Sequence, residues 1–232
     1  MKFALIGHPV EHSFSAQYLN SRFKNEGIDA HYELINMPDL TQFTTLIQSN
    51  KYNGFNITIP HKKSIIPYLD SLSPEATAIE AVNVIQITNN KLIGHNTDII
   101  GFHETLTPLL KPYHTHAVIL GTGGASQAVQ YVLHQLNIPF RLITHKELDT
   151  NTITQLAPII INTTPLGMHP NTNTKPNIDY SQITPNHLIY DLVYNPTETQ
   201  FLKLAKQQGA TTQNGLAMLH RQADAALKIW LK

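Results

Sequence analysis

The sequence predicts an α/β fold in which short buried strands alternate with helices. Two observations carry this reading. Short apolar, β-branched runs recur along the chain and stop at Gly or Asn: Phe3-Ala4-Leu5-Ile6, Ala117-Val118-Ile119-Leu120 and Ile159-Ile160-Ile161. Segments with apolar residues at helical spacing separate them, which is the pattern of βαβ units and a parallel sheet.

The first half fits this pattern element by element. Gly7-His8-Pro9 ends the first strand, and Ser13 is placed to cap a helix from Ala16 to about Asn25 that stops at Gly27. Ser13 and Ser15 also form a pair of hydroxyls suited to a polyol or a carboxylate, and the local pattern does not separate the two roles. Ala30 to Ile35 alternates as a strand, and Pro38-Asp39-Leu40 opens a helix to about Gln48. Asn53 to Lys62 reads as a strand stopped by Pro60, with a helix from Lys62 to about Tyr68. That places Asn56, Thr58 and Lys62 at the carboxyl end of a strand, where α/β sheets bind ligands. Ser73-Pro74-Glu75 starts a helix, Ala81 to Ile87 and Lys91 to Gly94 form strands around an Asn89-Asn90 turn, and Asn96-Thr97-Asp98 precedes a helix from Ile99 to about Leu110. Asn96 and Asp98 are a second polar cluster at an element boundary, with helix capping as the plain alternative.

Lys111-Pro112-Tyr113 reads as a linker to a second unit. There Gly121-Thr122-Gly123-Gly124-Ala125-Ser126 follows a strand and opens a helix to about Leu136, the context that a Rossmann-type dinucleotide loop requires. Glycines allow backbone N–H groups to approach a pyrophosphate, and the helix start adds partial positive charge. Phe140 to Ile143 is the next strand, about 20 residues on, where the cofactor ribose is read. It ends in Thr144-His145-Lys146; no carboxylate stands at the tip, the first acid being Glu147, so a 2′-phosphate is tolerated. The stretch from Glu147 to Ala157 barely holds a crossover helix. Strands at 159–161 and 188–194, a helix from Thr199 to Gln207 and an amphipathic tail from Gly215 to Lys232 complete the chain, with Asn171 to Asn177 as a polar loop. In that tail, packing is the plain reading of Met218 and solvent exposure that of Gln222.

Composition excludes several function classes. The 232 residues are 41% hydrophobic and 14% charged, which is a globular balance. Basic and acidic residues both number 16, so no basic excess suggests nucleic acid or a membrane surface. The chain has no Cys, which removes disulfides, thiolate metal sites and Cys nucleophiles, and its three arginines are Arg22, Arg141 and Arg221. The 13 His include the pairs His8/His12 and His114/His116, neither with a third ligand at zinc-like spacing, so no metal is expected. No apolar run is long enough to span a bilayer, and a cytoplasmic location is expected.

Taken together, His12-Ser13-Phe14-Ser15, Asn56 to Lys62, Ala81-Val82-Asn83, Asn96-Thr97-Asp98, Gly121 to Ala125, Asn162 to Gly167, Asp191 to Pro196 and Asn214 to Leu219 resemble, in order, the shikimate/quinate dehydrogenase family. The resemblance covers nearly the whole chain. It implies a substrate-binding catalytic domain at 1–98 and 215–232, with the last helix returning to it. It implies an NADP-binding Rossmann domain at 99–214, shortened here after its second strand. The implied reaction is reversible reduction of 3-dehydroshikimate to shikimate by NADPH, in aromatic amino-acid biosynthesis. By resemblance, Lys62 and Asp98 match the catalytic pair, and Ser13, Ser15, Thr58, Asn83, Tyr194 and Gln222 match substrate-binding positions. Gly121, Thr122, Gly123, Gly124 and Ala125 match the pyrophosphate loop. Thr144, His145 and Lys146 stand where the family usually carries Asn-Arg-Thr, and Thr163, Gly215 and Met218 complete the implied cofactor contacts.

The residue types suit this chemistry. Ketone reduction needs a proton donor at the developing alkoxide, which Lys62 supplies, and a nearby Asp98 would orient it. Hydroxyls and amides suit a small polar ring, and paired Ser hydroxyls suit its carboxylate where no Arg is near. Partners are expected to be that small-molecule substrate alone, with no nucleic acid or membrane, in a monomer or homodimer. A quinate/shikimate dehydrogenase using NAD, and a catalytically silent binding protein on the same fold, are the alternatives.

Overall fold

The computed structural model describes residues 1–11, 13–150 and 157–232. His12 of the first motif and residues 151–156 of the stretch after Glu147 lie outside the described residues. The chain divides into two units, 1–100 with 220–232, and 101–219.

The first unit is built from β1 (Lys2–Gly7), α1 (Ser15–Glu26), β2 (His31–Asn36), α2 (Phe43–Gln48), β3 (Gly54–Ile57), β4 (Ser71–Leu72), α3 (Pro74–Ile79), β5 (Val84–Thr88) and β6 (Lys91–His95). Its six-stranded sheet runs β2-β1-β3-β5-β6-β4. The β1 pairings to β2 and β3 are parallel, whereas β3–β5 and the β5–β6 hairpin are antiparallel. Asn89 and Asn90 both take positive φ in the hairpin turn, as Asn tolerates. Successive residues of β1 bury on opposite faces. Phe3 and Leu5 join Leu19, Phe23, Tyr32 and Leu227 in one cluster, and Ala4 and Ile6 join Phe43, Phe55, Ile57 and Ile65 in another. The Trp230 ring stacks on Phe3, with centroids 4.5 Å apart, and its Nε1–H donates to Ile85 O at 3.0 Å. Gly54 is required there, since a Cβ would press on the Trp230 indole.

Local chemistry explains several boundaries. Gly27 ends α1 at φ 66°, and Ser73 caps α3 by accepting from Ala76 N–H, with Pro74 in the first turn. Ser13 does not cap α1. The cap position is Phe14, which makes no side-chain cap hydrogen bond, and Ser13 Oγ accepts from Ser15 N–H at 3.3 Å. The helix expected from Pro38 begins at Phe43 instead, because Asp39 draws the chain into a local turn by accepting from Thr41 N–H at 2.9 Å. The helix expected from Lys62 is a series of turns ending in a 3-10 segment, Ile66–Tyr68. Pro67 lacks the N–H that an α-helix needs, and Ile66 and Tyr68 bond three residues back.

The remaining elements are α4 (Asp98–Leu106), β7 (Ala117–Leu120), α5 (Gly124–Gln135), β8 (Phe140–Ile143), α6 (His145–Thr150), β9 (Ile159–Asn162), β10 (Leu188–Asp191), α7 (Gln200–Gln207), β11 (Thr211–Gln213) and α8 (Leu216–Trp230). The second unit's sheet is parallel throughout and runs β11-β10-β9-β7-β8. Its central strands β7, β9 and β10 are fully buried and mainly aliphatic, as parallel strands covered on both faces are, with Asn162, Tyr190 and Asp191 as the exceptions at their carboxyl ends. The order reverses between β7 and β9, so the switch point lies at the carboxyl ends of those two strands. The short β4 and β11 lack strong apolar patterning, and the sequence does not announce them.

Candidate active site

In the first unit the chain leaves β3 under tight control. Thr58 N–H donates to Ile6 O at 2.9 Å, and Thr58 O accepts from His61 N–H at 2.8 Å. The buried His61 ring bonds Met37 O at 2.6 Å, and Lys62 O accepts from Val82 N–H at 2.8 Å. Lys62 is thereby fixed at its backbone while its side chain stays partly open. Its Nζ donates to Asp98 Oδ2 at 2.5 Å, with side-chain exposures of 17% and 9%. Desolvated ion pairs of this kind are costly to break singly, because the remaining charge is left without its partner.

Asp98 is held as closely. It opens α4, where the helix dipole favours a carboxylate, and its N–H donates to Asn96 Oδ1 at 3.0 Å. Asn96 Nδ2 in turn donates to Ala81 O at 3.0 Å. Asn83 Nδ2 donates to the other oxygen, Asp98 Oδ1, at 2.9 Å, and Asn83 Oδ1 accepts from Thr97 N–H at 2.7 Å. Gln222 belongs to the same cluster: its Oε1 lies 3.3 Å from Asn83 Nδ2 and 3.4 Å from Thr97 Oγ1. It is a buried-side residue of α8 and not the solvent-facing one that helical spacing allows. Behind the cluster, the buried Tyr32 hydroxyl donates to Asn56 Oδ1 at 2.7 Å and Asn56 Nδ2 to Asn83 O at 3.0 Å. Lys62, Asp98, Asn83 and Gln222 are thus brought together. Ser13, Ser15 and Thr58 stand outside this hydrogen-bonded cluster. An ammonium on a fixed carboxylate, with amides around it, is equipped to give and take one proton.

In the second unit Gly121 leaves β7 at φ +105°. A Cβ there would sit 2.8 Å from both Thr163 Oγ1 and Thr164 Cγ2, so the close approach needs glycine. Gly123 has open space where a Cβ would stand, and Thr122 beside it is exposed. Gly124 and Ala125 begin the twelve-residue α5, whose first-turn N–H groups lack intrahelical partners. Ser126 is buried and accepts from Gln130 Nε2 at 3.1 Å. Thr163, at the end of β9, donates to Leu120 O at 2.8 Å. An open glycine loop and a helix start at the switch point fit the pyrophosphate of a dinucleotide.

The strand expected over 188–194 ends at Asp191, and Tyr194 stands three residues beyond it, half-buried, its phenol pKa pushed up by burial. Just before it, the fully buried Asp191 accepts from Thr199 Oγ1 at 2.6 Å, Asn162 Nδ2 at 2.9 Å and Val193 N–H at 3.1 Å. Burial nevertheless raises its carboxyl to about 6. Gly215 N–H donates to Val193 O at 3.1 Å, and a Cβ on Gly215 would run into the Leu192 carbonyl. Met218 is buried, as its core reading requires.

At the tip of β8 the structure corrects the expectation that no carboxylate is present. Glu147 folds back so that Oε2 accepts from Thr144 N–H at 2.8 Å and Thr144 Oγ1 at 2.9 Å, with Arg141 Nη2 3.3 Å from Oε1. The Thr144 N–H, first among these, holds the Glu147 carboxyl below its usual range. His145 and Lys146 are exposed beside it. Among the described residues no cluster of His, Asp and Glu is placed to hold a metal ion, and no helix is long and apolar enough to cross a membrane.

Glycine loop and lysine–aspartate pair define, as a class, a dinucleotide-dependent oxidoreductase. Comparison with known proteins gives the particular family. Residues 5–85 match the family model described as the shikimate dehydrogenase substrate binding domain. Shikimate dehydrogenase (NADP(+)) of Methanococcus maripaludis is 39% identical, over 97% of this chain and 90% of its own. Among solved structures, shikimate 5-dehydrogenase of Thermus thermophilus in complex with NADP(H) and shikimate is 30% identical with a TM-score of 0.88, covering 99% of this chain and 93% of that one. The Listeria monocytogenes shikimate 5-dehydrogenase, in complex with shikimate and NAD, is 26% identical with a TM-score of 0.80, covering 99% and 91%. The chain belongs to the shikimate dehydrogenase family.

Proposed function

We propose that this chain catalyses the reversible NADPH-dependent reduction of 3-dehydroshikimate to shikimate, a step of aromatic amino-acid biosynthesis. The observation that carries the reading is the Lys62–Asp98 pair, 2.5 Å apart, in the unit whose sequence matches the substrate-binding family model. Bound NADPH supplies the hydride. Lys62 Nζ gives its proton to the developing alkoxide oxygen and takes it back in the reverse direction. Asp98 holds the ammonium in place and stabilises its charge, and Asn83 holds Asp98.

Ser13, Ser15, Thr58, Asn83, Tyr194 and Gln222 bind the substrate's carboxylate and hydroxyls. Residues 1–98 with 215–232 are read as the substrate domain and 99–214 as the NADP domain. Gly121, Thr122, Gly123, Gly124 and Ala125 cradle the pyrophosphate, Thr144, His145 and Lys146 lie toward the adenosine ribose, and Thr163, Gly215 and Met218 complete the cofactor site. The neutral, cysteine-free composition suits a cytoplasmic enzyme, as a monomer or homodimer, with a small-molecule substrate and no nucleic-acid partner. An absorbance assay of shikimate oxidation with NADP tests the reading directly. Shikimate-dependent NADPH formation is expected; its absence at high enzyme and substrate concentration would reject it.

A further inference from the structure

We propose that Glu147 is a cofactor-selecting residue that narrows this chain's preference for NADP over NAD. The inference rests on the dinucleotide reading of the glycine loop. In that fold the carboxyl end of the second strand reads the adenosine ribose: an acid there accepts from a free 2′-hydroxyl, and a cation accommodates a 2′-phosphate. Here the strand is β8, and the group folded onto its end is the Glu147 carboxylate.

Glu147 acts against a 2′-phosphate in two ways. Its charge repels the phosphate directly. It also engages the donors a phosphate would use, namely the Thr144 N–H and hydroxyl and the Arg141 guanidinium. Arg141 is the sole arginine in the sequence of the second unit, so no other guanidinium there offers a bidentate clamp. Glu147 is also part of a capping box. Thr144 Oγ1 accepts from Glu147 N–H at 3.3 Å while the carboxylate returns to Thr144 N–H. A purely structural role for Glu147 is therefore the rival explanation.

Glu147→Gln separates the two, because Gln completes the same capping box without the charge. The full chain, wild type and variant, is titrated calorimetrically with 2′,5′-ADP and with 5′-AMP, without substrate or turnover. The variant is expected to bind 2′,5′-ADP about twofold to fivefold more tightly, the scale of one exposed charge pair at low salt, and to bind 5′-AMP no better. The gain should shrink as salt is raised. An unchanged ratio of the two affinities would overturn the proposal and leave the capping role. If neither fragment binds the wild type, the glycine-loop reading fails and the proposal with it. Binding of 5′-AMP with no change on substitution fails the proposal alone.

Discussion

Replacing Asp191 with Asn should abolish a pH dependence of stability that the fold imposes on itself. Asp191 is fully buried at the end of β10, and burial lifts its carboxyl to about 6. Compared with about 3.9 for an unfolded Asp, at 1.36 kcal/mol per pH unit, ionisation in the folded chain is disfavoured by about 3 kcal/mol. The folded chain holds this proton more tightly than the unfolded chain does. Its contribution is therefore most favourable in acid and declines as pH rises from about 4 through about 6. About 2 kcal/mol of the decline should fall between about pH 4.5 and pH 7.5. Asn fits the same site: its carbonyl can accept from Val193 and Asn162, and its amide can donate to Thr199 Oγ1. The assay is urea unfolding at both pH values, followed by hydrogen exchange of peptides spanning β9 and β10, so that the second unit alone is read. Subtracting wild type from variant cancels every other titrating group. The variant should gain about 2 kcal/mol relative to wild type between the two pH values. A difference that does not change with pH would refute the reasoning.

Three further outcomes follow from the site. Lys62→Ala should lower kcat by about 10²- to 10⁴-fold with a much smaller change in KM, measured by steady-state kinetics; an unaltered kcat would remove Lys62 from the proton transfer. Asn83→Ala leaves Asp98 Oδ1 without its amide donor, and the first unit should lose about 1–3 kcal/mol in denaturant unfolding read by Trp230 fluorescence. Gly121→Ala forces a side chain into a left-handed backbone against Thr163 and Thr164, so 5′-AMP binding should weaken at least tenfold by calorimetry, with about 1–3 kcal/mol of strain expressed in the second unit.

The parts legible in the sequence were those whose physics is local. Gly121 to Ala125 were readable because a tight turn between a strand and a helix needs glycine there whatever surrounds it. Ser73-Pro74 marked a helix start for the same reason. The Lys62–Asp98 contact was not local. Thirty-six positions separate the two residues, and only resemblance suggested that they meet. Gln222 lies 139 positions from Asn83, and helical spacing alone made it look like a surface residue. Two misreadings had signals in plain sight. Pro67 already ruled out a regular helix after Lys62. Thr144-His145-Lys146-Glu147 spells the capping box that brings a carboxylate back to the tip of β8, although Glu147 looks three residues too late.

The place of Trp230 sets the order in which this protein can be made. The indole stacks on Phe3 and bonds Ile85, 145 positions earlier. Tyr18 meets Asp224 across 206 positions. A ribosome delivers residues 1–100 long before it delivers 220–232, with the entire second unit between them in sequence. The first unit is therefore begun first and completed last. Until residues 220–232 emerge, Phe3, Phe23 and Tyr32 wait for a cover that has not yet been synthesised.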